Sequence, residues 1–242
     1  MQRKNVFITG GDKGIGYAIS TMLSPFYENI IITYNSNIDG AKELSEKYHN
    51  ISYFQCDLSK KEIIEQVAKE VLSKFGHIDI LINNAGYEND ATFLKMQPEQ
   101  WCQVLRINLE SIYYFSHFFL QGMITKGWGR IINLTSIAGY TGAFGKSNYS
   151  AAKAGIVGFT KSLSLEFGGK GICVNAIAPG AIKTDMLMKI PEKYRTKILE
   201  NIPSHKFGTT EDVANLVEFL VSDKASYING QTIHINGGLF SI

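Results

Sequence analysis

Short apolar runs rich in β-branched residues alternate along the chain with longer stretches whose apolar positions recur every three or four residues. The runs Asn5–Thr9, Ile30–Tyr34, Ile51–Cys56, Ile78–Asn83, Arg130–Thr135, Cys173–Ile177 and Thr232–Ile235 are mostly continuously apolar, as strands covered on both faces should be. The helical stretches are Ile15–Leu23, Gly40–Tyr48, Lys60–Phe75, Glu99–Gln121, Tyr149–Phe167 and Glu211–Ser222. Strand and helix in alternation make βαβ units. They predict an α/β fold of the doubly wound, Rossmann type, a parallel sheet of about seven strands with helices on both faces. No linker, repeat or low-complexity tract divides the chain, so one domain over residues 1–242 is expected. Residues 183–208 break the rhythm with a mixture of apolar and basic positions and no strand, which suggests a lid over a site.

In an open parallel sheet, ligands bind beyond the carboxyl ends of the strands, so the residues following each strand carry the candidate chemistry. The first strand runs into TGGDKGIG, residues 9–16, and then a helix. Gly10, Gly14 and Gly16 permit a tight turn and a close backbone approach to a diphosphate, with the helix N-terminus facing the anion. Asp12, Lys13 and Ile15 complete that loop. The second strand ends in Tyr34, Asn35 and Ser36, with no acid to hold a ribose 2′-hydroxyl or repel a 2′-phosphate, while Lys13 offers a cation. This favours NADP(H) as the dinucleotide. Later strands lead into Asp57 and Leu58, into NNAG (83–86), into TSIAG (135–139) and into APGAIKT (178–184), which contributes Pro179, Gly180, Ile182 and Thr184. Tyr149 and Lys153, at i and i+4 among small residues, share one helix face that should look onto this rim near Ser136.

Composition narrows the classes. The chain has 242 residues, a net charge of +2, 45% hydrophobic and 19% charged residues, which suits a globular protein and argues against a dedicated nucleic-acid binder. The N-terminus lacks a signal-peptide pattern, and the most apolar helical stretch, IYYFSHFFL (112–120), is too short to span a bilayer, so a cytoplasmic protein is expected. Cys56, Cys102 and Cys173 form no C-x-x-C pair, and the histidines show no ligand spacing, so neither disulfide nor metal site is expected.

TGGDKGIG, NNAG, Asn108, Ser136, Tyr149-x-x-x-Lys153 and Pro179-Gly180 occur in an order and spacing that resemble the tyrosine-dependent short-chain dehydrogenases/reductases over essentially the whole chain. The resemblance implies an enzyme in which Tyr149 is the general acid/base, Ser136 orients the carbonyl, Lys153 holds the nicotinamide ribose and lowers the tyrosine pKa, and Asn108 anchors a proton-relay water. It also implies that Asp57 contacts adenine, and that Asn84, Ala85 and Gly86, with Asn83, wall the adenosine ribose. Elementary chemistry agrees with these roles. A tyrosine of pKa near 10 is poorly matched to neutral pH, and a neighbouring ammonium favours its phenolate.

Within the family the chain resembles the 3-oxoacyl thioester reductases, which use either acyl carrier protein or coenzyme A as the acyl carrier. DATFLKM (90–96), GWGRI (127–131), GAFGKSNYS (142–150) and NGGL (236–239) resemble the acetoacetyl-CoA branch more closely, so that branch is expected. Glu88 and Asn89 depart from both branches, which tend to carry threonine and arginine there. Arg130 and Lys170, with Lys126 nearby, resemble docking positions for an acidic carrier protein. Other alcohol or sugar dehydrogenases, and non-catalytic dinucleotide sensors, share the scaffold, but the complete Ser136, Tyr149, Lys153 and Asn108 set favours turnover. The aromatic helix around Tyr113–Phe119 and the C-terminal tail imply, by the same resemblance, a homotetramer.

Overall fold

A computed structural model describes residues 2–241. Seven strands form one parallel sheet in the order β3-β2-β1-β4-β5-β6-β7. They are β1 (Gln2–Ile8), β2 (Tyr27–Tyr34), β3 (Ile51–Gln55), β4 (Ile80–Asn83), β5 (Gly129–Leu134), β6 (Ile172–Pro179) and β7 (Thr232–Ile235). The helices are α1 (Gly14–Leu23), α2 (Ile38–Lys47), α3 (Lys61–Phe75), α4 (Pro98–Leu105), α5 (Ser111–Lys126), α6 (Ala138–Thr141), α7 (Ser147–Phe167), α8 (Asp185–Met188), α9 (Glu192–Glu200) and α10 (Thr210–Val221).

Side chains alternate between the faces of a strand, and the two cores follow that alternation. Val6, Ile8, Ile30, Ile32, Ile80 and Ile82 face α1, α2 and α10, where Ile19, Leu23, Leu44, Val213 and Val217 meet them. Phe7, Ile31, Leu81 and Ile131 face the other way, onto Val67 and Val71 of α3 and Phe115 and Phe119 of α5. Both sheet faces are therefore apolar, which is why the strands read as continuous apolar runs rather than alternating ones.

The expected helix over Glu99–Gln121 is two helices, α4 and α5, joined by a π-helical turn at Arg106–Glu110. A π turn inserts one residue without breaking the apolar stripe, so periodicity alone reads straight through it. The helix that carries Tyr149 begins two residues earlier than expected, at Ser147. Residues 183–208 form α8 and α9. Their base is closed by a bridge between Ile182 and Gly208, with Lys183 N–H donating to Gly208 at 2.8 Å and Gly208 N–H to Ala181 at 3.0 Å. The aromatics of α5 divide: Phe115 and Phe119 are buried with Phe7, whereas Tyr113 is exposed.

Phe115 sits 4.8 Å from the Phe7 ring with no exposed surface. Phe115→Ala should reduce unfolding free energy by about 3–5 kcal/mol in chemical denaturation, the cost of emptying a buried aromatic site.

Candidate active site

The strand order reverses between β1 and β4, so the chain leaves these neighbours in opposite directions and a crevice opens at their carboxyl ends. The two loops there are stitched together. Asn84 Nδ2 donates to the carbonyls of Thr9 at 2.9 Å and Gly10 at 3.0 Å, while the Thr9 hydroxyl accepts from the N–H groups of Asn84 and Ala85, both at 3.0 Å. Gly10 has φ +62°, a left-handed conformation, and a Cβ on Gly16 would collide with the Gly10 carbonyl. The loop is folded back on the start of α1, and the Lys13 side chain at the N-cap makes no capping bond. The first turn of α1 thus keeps amide donors for an anion. Thr184 approaches from the base of the 183–208 excursion: a Cβ on Gly14 would lie 3.6 Å from its methyl carbon. Ile182 beside it is buried.

The end of β2 divides between rim and core. Asn35 and Ser36 are exposed on the rim. The Tyr34 side chain turns into the core, 7% exposed and edge-on to Tyr53. Asp12 is buried, its backbone carbonyl accepts from Asn37 Nδ2 at 3.1 Å, and burial pushes its carboxyl pKa up. The Asp57 carboxylate accepts from Ser59 Oγ at 2.6 Å and Ser59 N–H at 3.0 Å, bonds that hold its pKa down, and Leu58 is a core residue.

Across the crevice, Lys153 donates from Nζ to the Leu134 carbonyl at 2.8 Å, and its ammonium lies 5.5 Å from the centre of the Tyr149 ring. Thr135 Oγ1 donates to the Lys153 carbonyl at 2.7 Å, which ties the end of β5 to α7. A Cβ on Gly139 would stand 2.8 Å from the Lys153 backbone, so the loop carrying Ser136 lies flat against that helix. The Ser136 hydroxyl accepts from Ala138 N–H at 3.2 Å. Ile137 N–H donates to Pro179 at 3.2 Å and Gly180 N–H to Ile235 at 2.9 Å, which brings the end of β6 to the same rim.

Asn108 is not a surface amide. It lies in the π turn with no exposed surface, accepts from Tyr87 N–H at 3.2 Å and donates to the carbonyls of Tyr87 at 2.8 Å and Val104 at 2.9 Å. A Cβ on Gly86 would lie 3.3 Å from its Oδ1 and 3.8 Å from Lys153 Nζ, so Gly86, Asn108 and Lys153 meet at one point.

Burial dominates the electrostatics. It lowers the Lys153 ammonium to about 8, opposed by the charge of Glu88. It raises Tyr149 above its ordinary value, with Glu88 and Asp90 adding to the rise and the Ser136 hydroxyl opposing it. Desolvation of the phenolate is the largest effect on Tyr149, and the lowering expected from Lys153 is not among the causes of its shift. Lys146, which was not singled out in the sequence, also stands at this site, 5.7 Å from the Tyr149 ring centre and paired with Glu88 at 2.8 Å and Asp90 at 3.3 Å. Its partners lie more than fifty positions away in the chain, beyond any local spacing signal.

The expected docking cations are placed differently. Arg130 is 2% exposed, stacked 4.4 Å over Trp128 and paired with Asp223 at 3.4 Å, at the opposite end of β5 from Lys153. Lys126 pairs with buried Asp79 at 2.9 Å, and Lys170 is exposed. Among the described residues, no cluster of three or more acidic, His or Cys side chains could hold a metal, and no helix is long and apolar enough to cross a membrane.

A lysine whose pKa is lower in the folded than in the unfolded state destabilises the fold below the folded value, and that penalty fades as pH rises from about 8 to 10.5. Its size is on the order of 3 kcal/mol. Lys153→Met should therefore be more stable than the parent chain at pH 7, and its denaturation midpoint should lose the rise with pH over that window.

A family model described as enoyl-(acyl carrier protein) reductase matches residues 10–240. The 3-oxoacyl-[acyl-carrier-protein] reductase FabG of Haemophilus influenzae is 42% identical over 241 residues, 99% of each chain. That of Aquifex aeolicus is 41% identical over 247 residues, 99% of this chain and 98% of the relative. The acetoacetyl-CoA reductase of Shinella zoogloeoides is 42% identical over 236 residues, 97% of this chain and 98% of the relative. With the seven-stranded doubly wound sheet, the glycine loop and the Tyr149–Lys153 helix already in place, these matches along nearly the whole length show that the chain belongs to the short-chain dehydrogenase/reductase family.

Proposed function

We propose that the chain reduces the ketone of a 3-oxoacyl thioester to the (R)-3-hydroxyacyl thioester, with NADPH as the reductant and acyl carrier protein as the acyl carrier. The observation that carries this reading is the meeting of Tyr149, Ser136, Lys153 and Gly86 at the crevice beside the glycine loop. The cradle fits a dinucleotide: a Cβ on Gly16 has no room, and the N-terminus of α1 offers amide donors. Asn35 and Ser36 carry no charge against a 2′-phosphate, and exposed Lys13 supplies a cation to it.

When bound, the nicotinamide supplies the hydride. The protein's part is proton delivery and orientation. Tyr149 gives its phenolic proton to the substrate oxygen as negative charge grows there, and Ser136 donates a hydrogen bond to the same oxygen. Lys153, once its ammonium turns from the Leu134 carbonyl toward the ribose and the phenolate, stabilises the tyrosinate left behind. Asn108 fixes the Tyr87 backbone at the floor of the site and holds the π turn open there. The 183–208 excursion, pinned at its base and carrying exposed Met188 and Tyr194, suits a lid over the acyl chain. Exposed Tyr113 on α5 and Leu165 on α7 suit a face between copies of the chain, consistent with a homotetramer.

The carrier is the finer question. Four segments resemble the coenzyme A branch, yet relatives from Haemophilus, Aquifex, Vibrio, Staphylococcus and Escherichia all bear the acyl-carrier-protein name, and the coenzyme A relative is no more similar at 42% identity. The weight of relatives favours acyl carrier protein. Exposed Lys170, and Lys126 where its pairing with Asp79 leaves it exposed, are then the cations left for an acidic carrier, because Arg130 is enclosed.

Two experiments test the reading. Tyr149→Phe should keep NADPH binding, followed by cofactor fluorescence, and lose about 10²–10⁴-fold in kcat; turnover near that of the parent would overturn it. Steady-state NADPH oxidation should give a higher kcat/KM with acetoacetyl-acyl carrier protein than with acetoacetyl-CoA. The reverse order moves the chain to the coenzyme A branch, and preference for a crotonyl thioester would make it a reducer of carbon–carbon double bonds.

A further inference from the structure

Two ammonium groups lie near the Tyr149 ring and are held in different ways. Lys153 Nζ, 5.5 Å from the ring centre, is bound to a backbone carbonyl. Lys146 Nζ, 5.7 Å away, is clamped by two carboxylates, Glu88 at 2.8 Å and Asp90 at 3.3 Å. We propose that the Glu88–Lys146–Asp90 cluster is a positioning device that holds a net negative charge beside Tyr149 and keeps the phenol protonated to higher pH. The proposal rests on Tyr149 being the proton donor.

The cluster is built, not incidental. Glu88 and Lys146 have side chains only 21% and 25% exposed. Their loops are fastened to each other by backbone: Ala91 N–H donates to Gly145 at 2.9 Å, and Gly145 has φ +74°. Asn148 Nδ2 donates to the Asn89 carbonyl at 3.1 Å, and Gln100 Nε2 donates to Asn89 Oδ1 at 2.6 Å. These bonds fix the backbone of both the loop after β4 and the start of α7, with Glu88 and Lys146 the enclosed members of the cluster and Asp90 its 45% exposed one. The two positions that depart from the thioester-reductase pattern, Glu88 and Asn89, are thus the ones that build the cluster and anchor its loop.

Three elements present charged or titratable groups to Tyr149. The loop after β4 brings Glu88 and Asp90, α7 with its preceding residue brings Lys153 and Lys146, and the loop after β5 brings the Ser136 hydroxyl. Two carboxylates and one ammonium leave the cluster with one negative charge. A negative charge disfavours the phenolate and favours the lysine cation. Both effects are in the expected sense: Glu88 raises Tyr149, and it is also the group that opposes the desolvation of Lys153. A reductase needs its tyrosine protonated at the start of each turnover, so reduction persists to higher pH while the reverse oxidation, which needs the phenolate, is held back.

The test is the pH profile of kcat/KM for NADPH-dependent reduction of the thioester, in the parent chain, Glu88→Gln, Asp90→Asn and Lys146→Gln. Loss of either carboxylate should move the alkaline limb to lower pH by about half a unit to one unit, and loss of the lysine should move it up by a similar amount. Asp90→Asn repeats the test of Glu88→Gln should that variant fold poorly. An ultraviolet difference titration of each protein against its own Tyr149→Phe counterpart reads the same ionisation without turnover and should shift in the same directions. Limbs that do not move, that move the same way in the carboxylate and lysine variants, or that merely fall in height at every pH would overturn the proposal. Should Tyr149→Phe alone keep its turnover, the acid role of Tyr149 fails instead, a result separable from unmoved limbs in proteins that need Tyr149.

Discussion

The reversal of strand order between β1 and β4 is the constraint on which the molecule turns. Strands that leave a common neighbour in opposite directions cannot cover their own carboxyl ends, so a crevice is unavoidable there. In this chain the crevice is not left slack. Thr9 and Asn84 exchange hydrogen bonds across it, and Gly10 and Gly16 let the backbone close on itself beneath the start of α1. Much of the site then hangs on the strands beyond β4: the Ser136 loop on β5, the Pro179–Gly180 turn on β6, and Lys153 anchored to the last carbonyl of β5.

The opposite wall carries an energetic tension. A buried ammonium is unfavourable for the fold and the phenol beside it is desolvated, yet both are the groups the proposed reduction uses. The large two-sided apolar core supplies the margin that tolerates them. The π turn belongs to the same economy. It lets α4 and α5 keep their packing while Asn108 is rotated inward to hold the Tyr87 backbone, and π turns recur where a helix must serve a site.

The two ends of the sheet have different duties. The candidate site lies at the carboxyl end, whereas at the amino end Arg130 is built into the fold, sharing the Trp128 ring with Lys4, whose ammonium lies 3.5 Å from the ring centre. In one dimension Arg130 resembles a docking position for an acidic carrier protein. Its pairing with Asp223 comes from an element far away in the chain, which also holds the neighbouring Trp128.

The sequence by itself determined the layer architecture, because β-branched runs alternating with amphipathic stretches have essentially one way to bury their apolar faces. It also determined the glycine loop and the Tyr149–Lys153 pair, since both depend on spacings within a single turn or helix. Tertiary structure alone decided that Tyr34 packs inward, that Asn108 is buried in a π turn, that Arg130 is enclosed, and that Lys146 meets Glu88 and Asp90. Each of these depends on which distant segment occupies the neighbouring space, and on the desolvation that follows, and a one-dimensional pattern carries neither.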